Sequence, residues 1–173
     1  MFDFESGVLP PEFTIPSNTA IASTELYSGV TPSFGTKFLR NQDGGTPTGT
    51  PSGPITLTLT ELGSHSSIDL NFLLAVIDAW DGTNGAPARD YLNVTVDSVL
   101  VFQGSWAQAS GSGNSVPRYA SGALCCTFGA SYFNNDGAVD MDSVSALNGI
   151  PHTASSVTIK WFASLDFHGP EFA

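Results

Sequence analysis

The chain is poor in charge, in basic residues above all, and in long apolar runs. Only 12% of its 173 residues are Asp, Glu, Lys or Arg, and five of those are basic, which leaves a net charge of −11. That is about half the usual charged fraction, so Thr, Ser, Asn and Gly must build the surface. A polyanion such as nucleic acid is excluded, because phosphate recognition needs clustered Lys and Arg. An anionic membrane surface is disfavoured on the same ground. No run reaches the ~18 apolar residues of a membrane span. The first residues, MFDFESG, have neither the basic start nor the apolar centre of a signal peptide. The chain therefore reads as a mature sequence whose leader was removed, or equally as a cytosolic one.

Cysteine is also scarce. The only two are adjacent, Cys125 and Cys126, which excludes a framework of spaced disulfides. Neighbouring side chains on a strand point to opposite faces. Two free thiols, a vicinal disulfide in a turn, and an intermolecular link all remain open. The three histidines, His65, His152 and His168, show no metal-ligand spacing, and SHSS (64–67) reads as a polar turn. No nucleophile elbow and no phosphate-cradling loop is present, so the chain reads as non-catalytic.

What is present is alternation between turn signals. Gly (18) and Pro (11) punctuate short alternating segments, the all-β pattern. Strands are expected at 2–5, 12–15, 36–40, 55–62, 67–78, 91–102, 123–133 and 155–164, with a short helical turn over 141–147. About eight strands in one domain, 1–173, predict a jelly-roll-like β-sandwich of two antiparallel sheets. The segments 41–54 and 103–122 read as long loops, which are often functional. The second holds Trp106 and Tyr119, which either stack on a sugar or tuck under their own loop.

Strand phase isolates the candidate site. Ile68, Leu70, Phe72, Leu74 and Val76 share one phase, which marks it as the core face, and Asp78 is next in it. Leu92, Val94 and Val96 share another apolar phase, and Asp90 falls in that one. Pairing of the two segments brings Asp78 and Asp90 to one end of the core. Inward carboxylates need a cation, a shared proton or loop N–H groups. The segment between them adds Asp81 and Asn84 as oxygen donors, and Arg89 as a rival partner. Hard oxygen donors suit Ca²⁺, although the spacing is not that of an EF-hand. The turn NNDGAVDMD (134–142), with Asp136, Asp140 and Asp142, reads as solvated. Asn93-Val94-Thr95 is a glycosylation sequon on the outward phase of its strand. In FDFE, Glu5 reads either as polar decoration of an edge strand or as a partner of the last strand near Asp166.

Two resemblances follow from these residues. FDFESGVLPPEF resembles the opening of secreted jelly-roll modules, many of them carbohydrate-binding. In those an early glutamate helps hold a structural calcium ion, which implies that role for Glu5, with Asp3 beside it. From about residue 55, LNFLLAVIDAWDG, RDYLNVTVDSVLVF, LCCTF and HTASSVTIKWFASLDF are similar to bacterial secreted or surface proteins that carry PEP-CTERM-type sorting signals. In that group a closing acidic strand completes the sandwich. Here FHGPEFA ends where it would follow, with Glu171 at the place of its acid.

The expectation is thus a non-catalytic extracellular or cell-surface module. It is stabilised by Ca²⁺ through Asp78, Asp81, Asp90, Asp3 and Glu5, and it binds glycan or matrix through Trp106 and Tyr119. The alternative is a structural subunit of a filament or matrix that self-associates by strand exchange at an open sheet edge left by a missing last strand.

Overall fold

The computed structural model describes residues 1–17, 19–23, 36–41, 53–78, 91–105, 137–164 and 171–172. The fold is all-β, as expected. In chain order the strands are β1 (Phe13–Thr14), β2 (Thr19–Ser23), β3 (Lys37–Asn41), β4 (Ile55–Leu59), β5 (Ser67–Ile68) and β6 (Leu73–Asp78). They continue as β7 (Tyr91–Val96), β8 (Val99–Gly104), β9 (Gly137–Asp140), β10 (Ile150–Pro151), β11 (Val157–Ser164) and β12 (Glu171–Phe172). Two 3-10 turns, Met141–Ser143 and Ser145–Leu147, follow β9.

The main sheet is antiparallel in the order β1-β4-β11-β7-β8. Its inner face carries Ile55 and Leu57, then Val157, Ile159 and Ala163, then Leu92, Val94 and Val96, and Phe102, all buried. All of these except Ile55 join one core with Leu70, Leu74, Met141, Val144, Leu147 and Ile150, which come from β6 and the segments around it. Two layers therefore share the core, the arrangement that lets one-sided strands hide their apolar faces. The outer face shows Thr56, Thr58, Thr158, Lys160 and Thr95, the polar, sparsely charged surface that composition demands.

The run 67–78 is not one strand. Ser67–Ile68 pairs with Ile150–Pro151, whereas Leu73–Asp78 pairs with β9 and β12. Between them the backbone bonds to the 3-10 segment instead: Leu70 N donates to Leu147 O at 2.9 Å, and Met141 N donates to Phe72 O at 2.9 Å. The even phase stays inward across the break, with Leu70 and Leu74 buried, so the face assignment holds where strand continuity does not.

The run 91–102 divides at Asp97–Ser98, both with positive φ (48° and 71°). A two-residue loop with two positive φ values is the type I′ hairpin connection, whose twist matches the strands it joins. A register shift between Val94 and Thr95 explains the unbroken apolar VLVF. The extra residue lets Phe102 face Val94 across the ladder while Leu100 faces Thr95.

Three expectations are corrected. FDFE is a turn, not a strand: Gly7 N donates to Phe4 O at 2.9 Å, and Phe4 takes a positive φ of 56°. Phe2 and Phe4 both meet Phe13 edge-on, at 5.0 and 5.4 Å between ring centres. The acidic turn 134–142 contains strand β9, and Asp140 accepts from Asp142 N at 3.2 Å to start the first 3-10 turn. The sequon asparagine is on the outer face but only 3% exposed. Its amide donates to Ser164 Oγ at 3.1 Å and accepts from Gln103 at 2.8 Å, so folding closes the acceptor nitrogen. The expected strand 123–133, with both cysteines, and the turn residue Asp136 lie outside the described residues.

Candidate functional site

Of the expected site residues, Asp81, Asp90, Trp106 and Tyr119 lie outside the described residues, as do Arg89 and Asp166. The expected pairing of 67–78 with 91–102, which would bring Asp78 and Asp90 together, is not made: β6 pairs with β9 and β12, and β7 pairs with β8 and β11 in the other sheet. Asp78 is the last residue of β6, and the ladder sets Glu171 directly opposite it. Two acidic residues at facing ladder positions destabilise the pair unless something neutralises them. Within FHGPEFA, Glu171–Phe172 pairs with Asp78 and Ile77 of β6.

Among the described residues, Glu5 meets neither the last strand nor a third acid; Asp166 lies outside them. Its carboxylate accepts from the backbone N–H of Thr36 at 2.7 Å, from the Thr36 hydroxyl, and from the N–H of Lys37 at 3.1 Å. Lys37 Nζ returns a bond to Glu5 O at 3.2 Å. Asp3 accepts from Glu5 N at 3.1 Å. Gly7 takes a φ of +71°, the left-handed conformation that favours glycine, and Lys37 Nζ passes over it where a Cβ would stand, at 2.8 Å. Glu5 thus buckles the N-terminal turn onto the start of β3. The Thr36 hydroxyl first, then the two N–H groups, hold its pKa below the ordinary 4.5. A lowered folded-state value means that the buckle contributes fully above pH 4.5 and is lost as pH falls through the lowered value. The protection factors of the Thr36 and Lys37 amides against exchange should fall on acidification through that range. In Glu5→Gln they should be low already at pH 7; unchanged protection would show that the carboxylate does not hold the turn.

A second constellation was not legible from sequence. His65 and His152 meet across the fold, with His65 Nε2 2.7 Å from His152 Nδ1. Their ring planes differ by 12° with centres 5.0 Å apart. A nitrogen contact of 2.7 Å is too close for face-to-face rings, whose atoms stand about 3.5 Å apart, so the rings lie nearly edge to edge. The outer nitrogens are each tied: His65 Nδ1 to Gly63 O at 2.6 Å, and His152 Nε2 to Asp97 Oδ2 at 3.1 Å. Asp97 Oδ1 accepts from Thr158 N at 2.9 Å. His152 is buried, and its own N–H donates to Ser66 O at 3.1 Å.

The contacts run in one chain from Gly63 O through the two imidazoles to the Asp97 carboxylate.

No protein-family model, curated protein or solved structure matches the chain. Among the described residues, no three His, Cys, Asp or Glu side chains gather into a metal-holding group. The histidine chain joins residues 87 positions apart. No sequence spacing signals such a pair; only the shared polar-turn context of SHSS and PHTASS hints at it.

Proposed function

We propose that the chain is a non-catalytic extracellular module of jelly-roll type, stabilised by calcium at the Asp78 end of the sandwich, that engages a neutral glycan or matrix polymer. The observation that carries the calcium reading is the facing ladder pair Asp78 and Glu171, with Asp81 close to Asp78 in sequence. Hard carboxylate oxygens at one sheet end are the donor chemistry of Ca²⁺. The polymer reading rests on a surface that is low in charge and, on balance, acidic, together with the aromatics Trp106 and Tyr119 in the 103–122 segment. Resemblance to secreted modules supports an extracellular setting. Glu5, engaged with Thr36 and Lys37, serves the fold in this reading rather than the ion.

Millimolar Ca²⁺ should raise the melting temperature relative to EDTA. At one hundred times the dissociation constant the gain is about 2.7 kcal/mol, which is roughly 5–10 °C for a domain of this size. Asp78→Asn should remove most of that shift. Identical melting in EDTA and Ca²⁺ would sink the metal reading. A glycan array with Trp106→Ala as control tests the polymer, and a blank array would remove it.

Assembly by strand exchange is the alternative. β8 stands at one end of the main sheet among the described residues, where Val99 and Leu100 are 65% and 53% exposed, an edge that a strand of a second copy can extend. Light scattering at rising concentration tests it; a mass that stays monomeric rejects it.

A further inference from the structure

We propose that the segment 1–14 is an exchangeable arm, traded between two copies of this chain so that each docks its β1 on the other's β4. The exchange leaves β8 out, so it holds or fails apart from assembly at that edge.

The first support is the form of the arm's attachments. Each one described joins an arm residue to a residue of the body. β1 pairs with β4 at two positions, Phe13 with Leu57 and Thr14 with Thr56. Beside them Thr58 N donates to Glu12 O at 2.9 Å, and the Phe13 side chain packs against the core. The Glu5 carboxylate accepts from the N–H groups of Thr36 and Lys37 at 2.7 and 3.1 Å. All of these form equally well when the arm comes from a second copy. That is the condition under which exchange of an identical element costs little, and reciprocal exchange closes as a two-fold dimer.

The second support is what the arm carries with it. Phe2 and Phe4 meet Phe13, Asp3 accepts from Glu5 N, and Gly7 N and Phe13 N donate to Phe4 O and Pro10 O. These contacts lie within 1–14 and travel with it, so undocking breaks only the contacts to the body. The connection to β2 runs through Ile15, Pro16 and Ser17. The proline ring fixes its own φ near −65° and biases Ile15 towards extended backbone, which suits an opened hinge. Opening gives up the bond from Thr19 N to Pro16 O, at 3.0 Å.

The third support is exposure. Among the described residues, the large apolar side chains left exposed are Met1, Phe2 and Val8 on the arm and Val99 and Leu100 on β8. Grouped apolar exposure marks a surface that another chain covers. An exchanged pair sets both bodies beside each arm, whereas the closed chain leaves that surface bare.

An arm on a short tether meets its own β4 at an effective concentration on the order of millimolar, so exchange competes at chain concentrations of that order. The unaltered protein, held near millimolar concentration at pH 7 and then diluted, should show a dimer by size exclusion with light scattering. Its share should rise with the holding concentration and decay slowly after dilution. When two differently isotope-labelled pools are mixed before concentration, nuclear Overhauser contacts between Phe13 and Leu57 should join one pool to the other. The Glu5 clasp forms once per arm in both species. Glu5→Gln should therefore speed interconversion by about tenfold or more and leave the equilibrium dimer share unchanged. A mass that stays monomeric at millimolar concentration would overturn the exchange. So would a dimer whose Phe13–Leu57 contacts stay within one pool, a result that would point to the β8 edge instead.

Discussion

Leu147→Ala is expected to lower the unfolding free energy by about 3 kcal/mol, within the range of buried leucine truncations, and the melting temperature by roughly 6–12 °C. Leu147 is fully buried although it belongs to a three-residue 3-10 turn. Met141 opens the first 3-10 turn, Val144 is the extended residue that joins the two turns, and Leu147 ends the second. All three are buried and fill the space that β5 and β6 leave where their common strand breaks. The same segment satisfies the backbone there through Leu70 N to Leu147 O. Truncation at Leu147 therefore opens a cavity under both layers. Urea unfolding should show a lower midpoint at unchanged slope. Leu100→Ala, on an exposed position of β8, should change stability by less than about 0.5 kcal/mol. A loss below about 1 kcal/mol for Leu147→Ala would mean that the turn does not plug the core.

The period-2 signal was legible because it reports burial, and burial is what two packed layers enforce. Leu92, Val94 and Val96, like Leu70 and Leu74, lie inward as their phase requires. Strand limits were not legible where hydrogen bonds leave the ladder without a composition change. Residues 69–72 look like strand but bond to the 3-10 segment. Asp97–Ser98 makes a hairpin turn without glycine or asparagine, so 91–102 reads as continuous. Asn93 shows the opposite failure: its phase is outward, yet cross-strand neighbours Gln103 and Phe162 and the side chain of Ser164 enclose it. Phase fixes a face and says nothing of what covers that face. The acidic candidates were legible at Asp78 only as a position at the strand end, and its partner Glu171 came from the ladder. The histidine chain was illegible because its geometry depends on three loops brought together by β4, β7 and β11.

Those same loops make Asp97 the most informative single position. Asp97 bears on the fold in two separable ways. Its backbone holds a positive φ of 48°, which costs an L-residue roughly 1–2 kcal/mol. Its carboxylate accepts from Thr158 N at 2.9 Å and contacts His152 Nε2 at 3.1 Å, and an orphaned donor costs about 1–3 kcal/mol where it is buried. Asp97→Ala keeps the strained turn and loses both carboxylate contacts, and should destabilise by roughly 2–4 kcal/mol. Asp97→Gly frees the turn of strain but still orphans Thr158 N and His152, so it should recover about 1 kcal/mol of that loss. Asp97→Asn keeps an acceptor for Thr158 N and tolerates the left-handed turn, so it should stay within about 1 kcal/mol of the unaltered protein. Equal stabilities for the Ala and Asn variants would show that neither the turn nor the carboxylate bonds matter.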